Sequence, residues 1–128
     1  MVVDTSIVLA VFFNEPSGPW ALDQLQKNRH DLQMSTVNYA EALILIQDRQ
    51  PRLFREIRDK MAESSMRLVP PTAEQAEIAA WARLRYPLNL GDCFAYALAK
   101  QEGCPLLTLD RDFRRTDVKA VLPGNPSQ

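Results

Sequence analysis

Short strand-like runs at Met1–Val3, Leu32–Ser35, Arg67–Val69, Pro105–Leu109 and Val118–Leu122 alternate with longer stretches of helical character. This alternation restricts the fold more than any other feature. Strands that short and that apolar must be buried on both faces. Helices placed between them supply the crossovers that parallel neighbours require. The pattern therefore predicts an α/β domain whose central, mostly parallel sheet is covered on both sides.

The intervening segments carry their own punctuation. Ser6–Phe13 reads as a helix that Asn14-Glu15-Pro16 breaks, because proline disfavours α geometry in the residue before it. Gly18–Lys27 reads as a second helix. Thr36 is placed to cap a third over Val37–Asp48, and Pro51 to open a fourth running to Glu63. Thr72 and Gln75 have capping-box spacing at the head of a helix that reaches Arg85 before Pro87 ends it. Asp92–Glu102 is the last, closed by Gly103.

With 128 residues, 46% of them hydrophobic and 24% charged, the chain has material for one buried core. We assign 1–122 to a single domain and Pro123–Gln128 to a disordered tail. The net charge of −1 argues against an indiscriminate nucleic-acid binder, so any RNA surface must be a local patch. Cys93 and Cys104 form no CxxC or Cys/His cluster, and His30 is the only histidine. A zinc centre and a histidine-dependent triad both lack their parts. Ile7–Phe13 is apolar, but no basic segment precedes it and no small-residue cleavage site follows. No run approaches the roughly 20 apolar residues of a membrane span. The expectation is a soluble, cytoplasmic protein with reduced thiols and no membrane partner.

In such sheets, sites lie in the crevice at the carboxyl ends of the strands. Asp4 follows the first strand and Asp110 the run Pro105–Leu109. Asp92 begins a helix, whose positive end favours an ionised carboxylate. Glu41 shares a helical face with Val37, Ala40, Ile44 and Leu45. A carboxylate buried on such a face costs several kcal/mol, roughly, unless it is paired or bound to metal. A hard divalent cation, Mg²⁺ or Mn²⁺, joins these acids: such ions prefer oxygen and can assist phosphodiester displacement. Thr5, Ser6 and Thr108 are close enough in sequence to orient the carboxylates. Structural alternatives stay open at each acid. Asp92 also reads as an N-cap, Asp110 and Asp112 as turn formers, and Glu41 as a solvent-facing residue on a rotated helix.

Four segments resemble the PIN-domain family, especially the VapC toxins of bacterial VapBC toxin–antitoxin pairs. They are Met1-Val-Val-Asp-Thr-Ser6, Ser35-Thr-Val-Asn-Tyr-Ala-Glu41, Leu88-Asn-Leu-Gly-Asp-Cys-Phe-Ala-Tyr-Ala-Leu-Ala99 and Leu106-Leu-Thr-Leu-Asp-Arg-Asp-Phe113. Their order and spacing span nearly the whole chain. The resemblance implies a three-layer α/β/α domain and Mg²⁺- or Mn²⁺-dependent endoribonuclease activity, often on tRNA or rRNA. It makes Asp4 and Asp92 the principal metal ligands, with Glu41 completing the acidic cluster and orienting the attacking water. Asp110 matches the fourth acidic position, and Asp112 is its alternate. A homodimer and a VapB-type antitoxin are implied as partners.

Arg83, Arg85, Arg111, Arg114 and Arg115 flank the acids in sequence and are candidate RNA contacts, or else solvated helix ends and loops. Trp20, Trp81 and Tyr86 read as packing residues that could also stack bases. Two other classes compete. A phosphatase or phosphotransfer enzyme would use an aspartate beside a strand as nucleophile, but a haloacid-dehalogenase-like member would want an acid where Ser6 stands. A catalytically silent binding module would have no need of the intact acids.

Overall fold

The computed structural model describes residues 1–124, so most of the predicted tail, 125–128, lies outside the described residues. The chain runs β1 (Val2–Val3), α1 (Thr5–Phe12), α2 (Gly18–Lys27), β2 (Gln33–Ser35), α3 (Thr36–Arg49), α4 (Phe54–Glu63), β3 (Arg67–Val69), α5 (Ala73–Arg85), α6 (Leu90–Glu102), β4 (Leu106–Leu107) and β5 (Ala120–Val121). A 3-10 turn at Pro51–Leu53 leads into α4, and another at Arg111–Arg115 follows β4. The strands form one sheet in the order β3-β2-β1-β4-β5, and every pairing is parallel.

Successive residues of a strand point to opposite faces, and here each face has its own core. Val3 and Leu107 join Met34, Ile7 and Val8 of α1, Ala21 of α2, Ile46 of α3 and Ile57 of α4. Val2 and Leu106 face the other way, against Ala79 and Ala82 of α5 and Ala95, Tyr96 and Leu98 of α6. The result is the three-layer α/β/α arrangement that the alternating pattern and the motif resemblance imply.

Capping explains where the helices begin. Ser35, not Thr36, caps α3: its hydroxyl accepts from the Val37 N–H at 3.2 Å. Thr72 accepts from the Gln75 N–H at 3.1 Å, while the Gln75 side chain turns away to Gln101. Helix α6 begins at Leu90, two positions before the predicted start, because Asn89 accepts from the Asp92 N–H at 2.8 Å. Asp92 is thus not the N-cap. It sits one turn inside, its carboxylate reaching back to the Asn89 N–H. Gly103 ends α6 in the left-handed region at φ 63°, which costs glycine nothing.

The sheet order places the site. From the central β1 the chain first adds β2 and β3 on one side, then β4 and β5 on the other. The reversal falls between β1 and β4, and the segments leaving those two strands open a crevice at the carboxyl edge. Asp4 leaves β1 there and Thr108 leaves β4.

Candidate active site

Asp4 is 2% exposed, and hydroxyls from two different elements fix its carboxylate. The Ser6 hydroxyl donates to Oδ1 at 2.5 Å and the Ser6 N–H to the same oxygen at 3.1 Å. The Thr108 hydroxyl donates to Oδ2 at 2.5 Å. Each hydroxyl is also an acceptor, Ser6 from the Leu109 N–H and Thr108 from the Asp110 N–H. The segment after β4 is thereby anchored to the carboxylate that ends β1. Despite its donors, Asp4 is pushed up to about 6, because burial penalises the charged form more than they favour it.

Asp92 is half-buried and is pushed up to about 7, by burial first and then by the negative charges of Asp110, Asp4 and Glu41. The positive end of α6, taken alone, favours its ionised form. That effect is worth about 0.3–1 kcal/mol, less than one pKa unit, and desolvation with three neighbouring acids outweighs it. The structure therefore brings Asp4, Glu41, Asp92 and Asp110 into one electrostatic neighbourhood.

Glu41 does not stand on a buried face. The buried stripe of α3 is Asn38, Ala42 and Ile46. Glu41 is half-exposed, Ala40 is exposed, and Ile44 is 59% exposed. The helix is rotated so that this side borders an open cleft against Leu90 and Gly91 of α6. Its burial therefore carries no argument for a metal, and its contacts do. The Thr5 hydroxyl donates to Oε1 at 2.5 Å. Thr5, adjacent to Asp4 in sequence, thus serves the acid of α3.

Asp110 accepts from the Asp112 N–H at 2.9 Å and caps the 3-10 turn while its charge acts on Asp92. Asp112 lies inside that turn, and of the two it is Asp110 whose charge is among the main causes that raise Asp92.

The donor set consists of hard carboxylate oxygens clustered without an arginine or lysine partner among the described residues. Yet no three of the described His, Cys, Asp or Glu side chains converge as a ready-made chelating cage. The two facts agree for a hydrated hard cation. Mg²⁺ keeps several waters and takes one or two carboxylates directly. The crowding of like charge around Asp92 fits such a group, and the described residues form no cage for a fully dehydrated ion.

The arginines divide. Arg85 lies 4.5 Å over the Trp81 ring, which in turn stands edge-on to Tyr86. Arg83 borders a small pocket with Leu90 and Cys93. Arg111, Arg114 and Arg115 are exposed on the turn that follows Asp110. Trp20 is partly buried against the core and His30 is exposed. Cys93 is buried, and burial raises its thiol above the usual range.

Asn38 and Gly91, neither of them an acid, also stand at the site. Asn38 is 1% exposed, and its amide reaches both the Gly91 carbonyl and Thr5. A Cβ on Gly91 would stand 2.7 Å from Glu41 Oε1. The available signal was a polar residue in register with Ala42 and Ile46, on the stripe that α3 buries.

A parallel α/β domain with an acidic cluster at its topological switch point defines the class. The model of the PIN domain matches residues 1–119. A ribonuclease VapC of Mycolicibacterium smegmatis is 40% identical over 94% of this chain and 99% of its own length. Ribonuclease VapC30 of Mycobacterium tuberculosis is 36% identical over 94% and 98%. Among solved structures, the sarcin-ricin-loop-cleaving toxin VapC20 of Mycobacterium tuberculosis superposes with a TM-score of 0.83 at 19% identity, covering 95% of this chain and 98% of that one. A toxin–antitoxin complex from Klebsiella pneumoniae gives 0.78 at 22%, covering 96% and 97%. The chain belongs to the PIN-domain family, in its VapC group.

Proposed function

We propose that this protein is a metal-dependent endoribonuclease toxin of a type II toxin–antitoxin pair, with Asp4, Glu41, Asp92 and Asp110 as its acidic site. The observation that carries the reading is the tie made by Thr108, whose hydroxyl donates to Asp4 and accepts from the Asp110 N–H, so that acids from two strand ends crowd together beside Asp92, which their charges raise. Folding tolerates such crowding where a cation offsets it. The relatives described as VapC ribonucleases supply the substrate class.

In this reading Asp4 and Asp92 would hold Mg²⁺ or Mn²⁺, with Asp110 as the fourth acid adding negative charge beside them. The cation, when bound, supplies charge stabilisation at the phosphodiester and a more acidic water. The protein's own residues do the rest. Ser6 and Thr108 fix the two oxygens of Asp4. Thr5 fixes Glu41, which orients the attacking water by hydrogen bond. Arg111, Arg114 and Arg115 carry phosphate contacts beside Asp110, and Arg83 extends them toward α6. Arg85 is the weakest of the five, since it is already stacked on Trp81.

The target we infer is a structured RNA of the tRNA or rRNA kind; the similar toxin from Mycobacterium tuberculosis is described as cleaving the sarcin-ricin loop. The partner is a VapB-type antitoxin. Similar solved chains include a toxin–antitoxin complex from Klebsiella pneumoniae and a DNA-bound VapBC from Salmonella typhimurium. A homodimer is part of the same reading, supported by the exposed apolar side chains of Ile44, Trp81, Leu84 and Leu90. No helix among the described residues is long and apolar enough to cross a membrane, and both cysteines are free, which supports a cytoplasmic site of action.

Purified antitoxin-free protein incubated with total RNA tests the proposal. Discrete cleavage with Mg²⁺ or Mn²⁺, abolished by EDTA, is expected. Cleavage that persists in EDTA, or no cleavage of any RNA fraction with either ion, would remove the assignment.

A further inference from the structure

Asn38 is fully inside the protein, on the stripe of α3 that packs against the core, and is surrounded by elements it has no need to bond. Its amide nitrogen donates to the Gly91 carbonyl at 3.0 Å and to Thr5 Oγ1 at 3.4 Å. Its carbonyl oxygen, equally buried, has no partner. The amide cannot be turned round to relieve this. The Gly91 carbonyl only accepts, so it fixes the nitrogen on its side.

The two donated bonds lead to the acidic site. Thr5 has one hydroxyl hydrogen and two acceptors for it, Glu41 Oε1 at 2.5 Å and the Asn38 backbone carbonyl at 3.1 Å; the shorter, charge-assisted bond to Glu41 takes it, so from the Asn38 amide nitrogen Thr5 accepts. The direction of donation therefore runs from Asn38 to Thr5 to Glu41. The second amide hydrogen holds Gly91, whose missing side chain is what lets the Glu41 carboxylate lie against α6. One side chain thus ties together α1 beside Asp4, α3 beneath Glu41 and the first turn of α6 beside Asp92.

We propose that Asn38 is a positioning residue for Glu41: through Thr5 and Gly91 it sets where that carboxylate stands relative to α6. This rests on the ribonuclease reading. A residue present only for packing would not leave a buried carbonyl orphaned, since an apolar side chain of the same shape would avoid that cost. Substrate binding depends on the exposed arginines, so the role acts on turnover rather than on affinity.

The test uses the full-length protein, and Asn38→Leu, Asn38→Asp and Glu41→Gln variants, on one RNA that the unmodified protein cleaves. Asn38→Leu removes both donors and the orphan together. Asn38→Asp keeps the shape, but a carboxyl buried there takes up a proton and has one hydrogen to donate, so it cannot hold Gly91 and Thr5 at once. Both should lower kcat by about 10- to 100-fold, the range typical of residues that orient active-site groups, with KM unchanged within about two-fold. The melting temperature of Asn38→Leu should not fall. In a Glu41→Gln background, adding Asn38→Leu should change kcat by less than about two-fold, because the residue to be positioned is gone. Full kcat in a folded variant would overturn the proposal. So would an equal fold-loss in both backgrounds, which would mean Asn38 acts on something other than Glu41. If Asn38→Leu does not fold, Asn38→Asp carries the same comparison. Failure of the ribonuclease reading is distinct: the unmodified protein would not cleave, or Glu41→Gln would cleave as fast as it.

Discussion

The Thr108 hydroxyl donates to Asp4 Oδ2 at 2.5 Å across 104 residues of sequence, while accepting from the Asp110 N–H at 2.9 Å. One buried hydroxyl thereby sets the distance between an acid after β1 and an acid after β4. Thr108→Val keeps the shape and removes both bonds. We expect activity to fall by about 10- to 100-fold, with higher Mn²⁺ needed for half-maximal rate in a metal titration. An unchanged titration would mean Asp4 is held adequately by Ser6 alone.

Gly91→Ala separates stability from activity. The added Cβ meets Glu41 Oε1 at 2.7 Å and Oε2 at 2.8 Å, the far end of a flexible side chain, so the carboxylate yields and the backbone does not. Alanine also favours the helix by about 0.5–1 kcal/mol over glycine. Thermal melts should therefore show no loss of stability, while RNA cleavage drops by about ten-fold or more, as for other groups that orient an active site. A destabilised but fully active variant would contradict the packing described for Glu41.

Without metal, stability should fall as pH rises. Asp4 and Asp92 are raised from 3.8 to about 6 and about 7, so between those values the folded chain binds more protons than the unfolded one. The stability linked to these groups is fully present below about pH 4 and is lost as pH rises through 6 to 7. Asp4, fully buried, accounts for about 3 kcal/mol of this, at 1.36 kcal/mol per pKa unit. Half-exposed Asp92 adds less than its shift suggests, because solvent screens it. Urea denaturation in EDTA across pH 4–8 measures the loss, set against the titration of other groups by repeating it with Asp4→Asn. Added Mn²⁺ should restore stability most at the high end of that range.

Away from the acids, Asp117 ties the segment before β5 to α6. Tyr96 donates to its Oδ1 at 2.6 Å and Lys100 to its Oδ2 at 2.6 Å, and these two bonds hold the Asp117 carboxyl below its usual value. Tyr96→Phe should cost about 1–2 kcal/mol, the worth of a hydrogen bond to a charged acceptor discounted for solvent. Cleavage per folded molecule should be unchanged. A large loss of activity with intact folding would show that this clamp reaches the site.

Much of the fold was legible because the strands and helices carry their own signals: turn and cap residues mark the boundaries, and strand runs such as Val2-Val3 and Leu106-Leu107 are uninterrupted because both faces are buried. What failed was rotation and register. Glu41 was read on a buried face because Val37, Ala40, Ile44 and Leu45 are apolar, and nothing local says that α3 buries the neighbouring stripe instead. At Asp92 the sequence displays the helix end and hides the three acids that fold beside it and raise it. Asn38 was silent for the same reason: its partners are 33 and 53 residues away.

The central claim is that the four acids form one cation-dependent site for RNA cleavage. Its most direct measurement is the single-turnover cleavage rate of Asp92→Asn beside the unmodified protein, antitoxin-free, at saturating Mn²⁺ and with equal folded fractions. The account predicts a loss of about 100-fold or more, the scale seen when a group that stabilises transition-state charge is removed. A rate within about two-fold of the unmodified protein would contradict it.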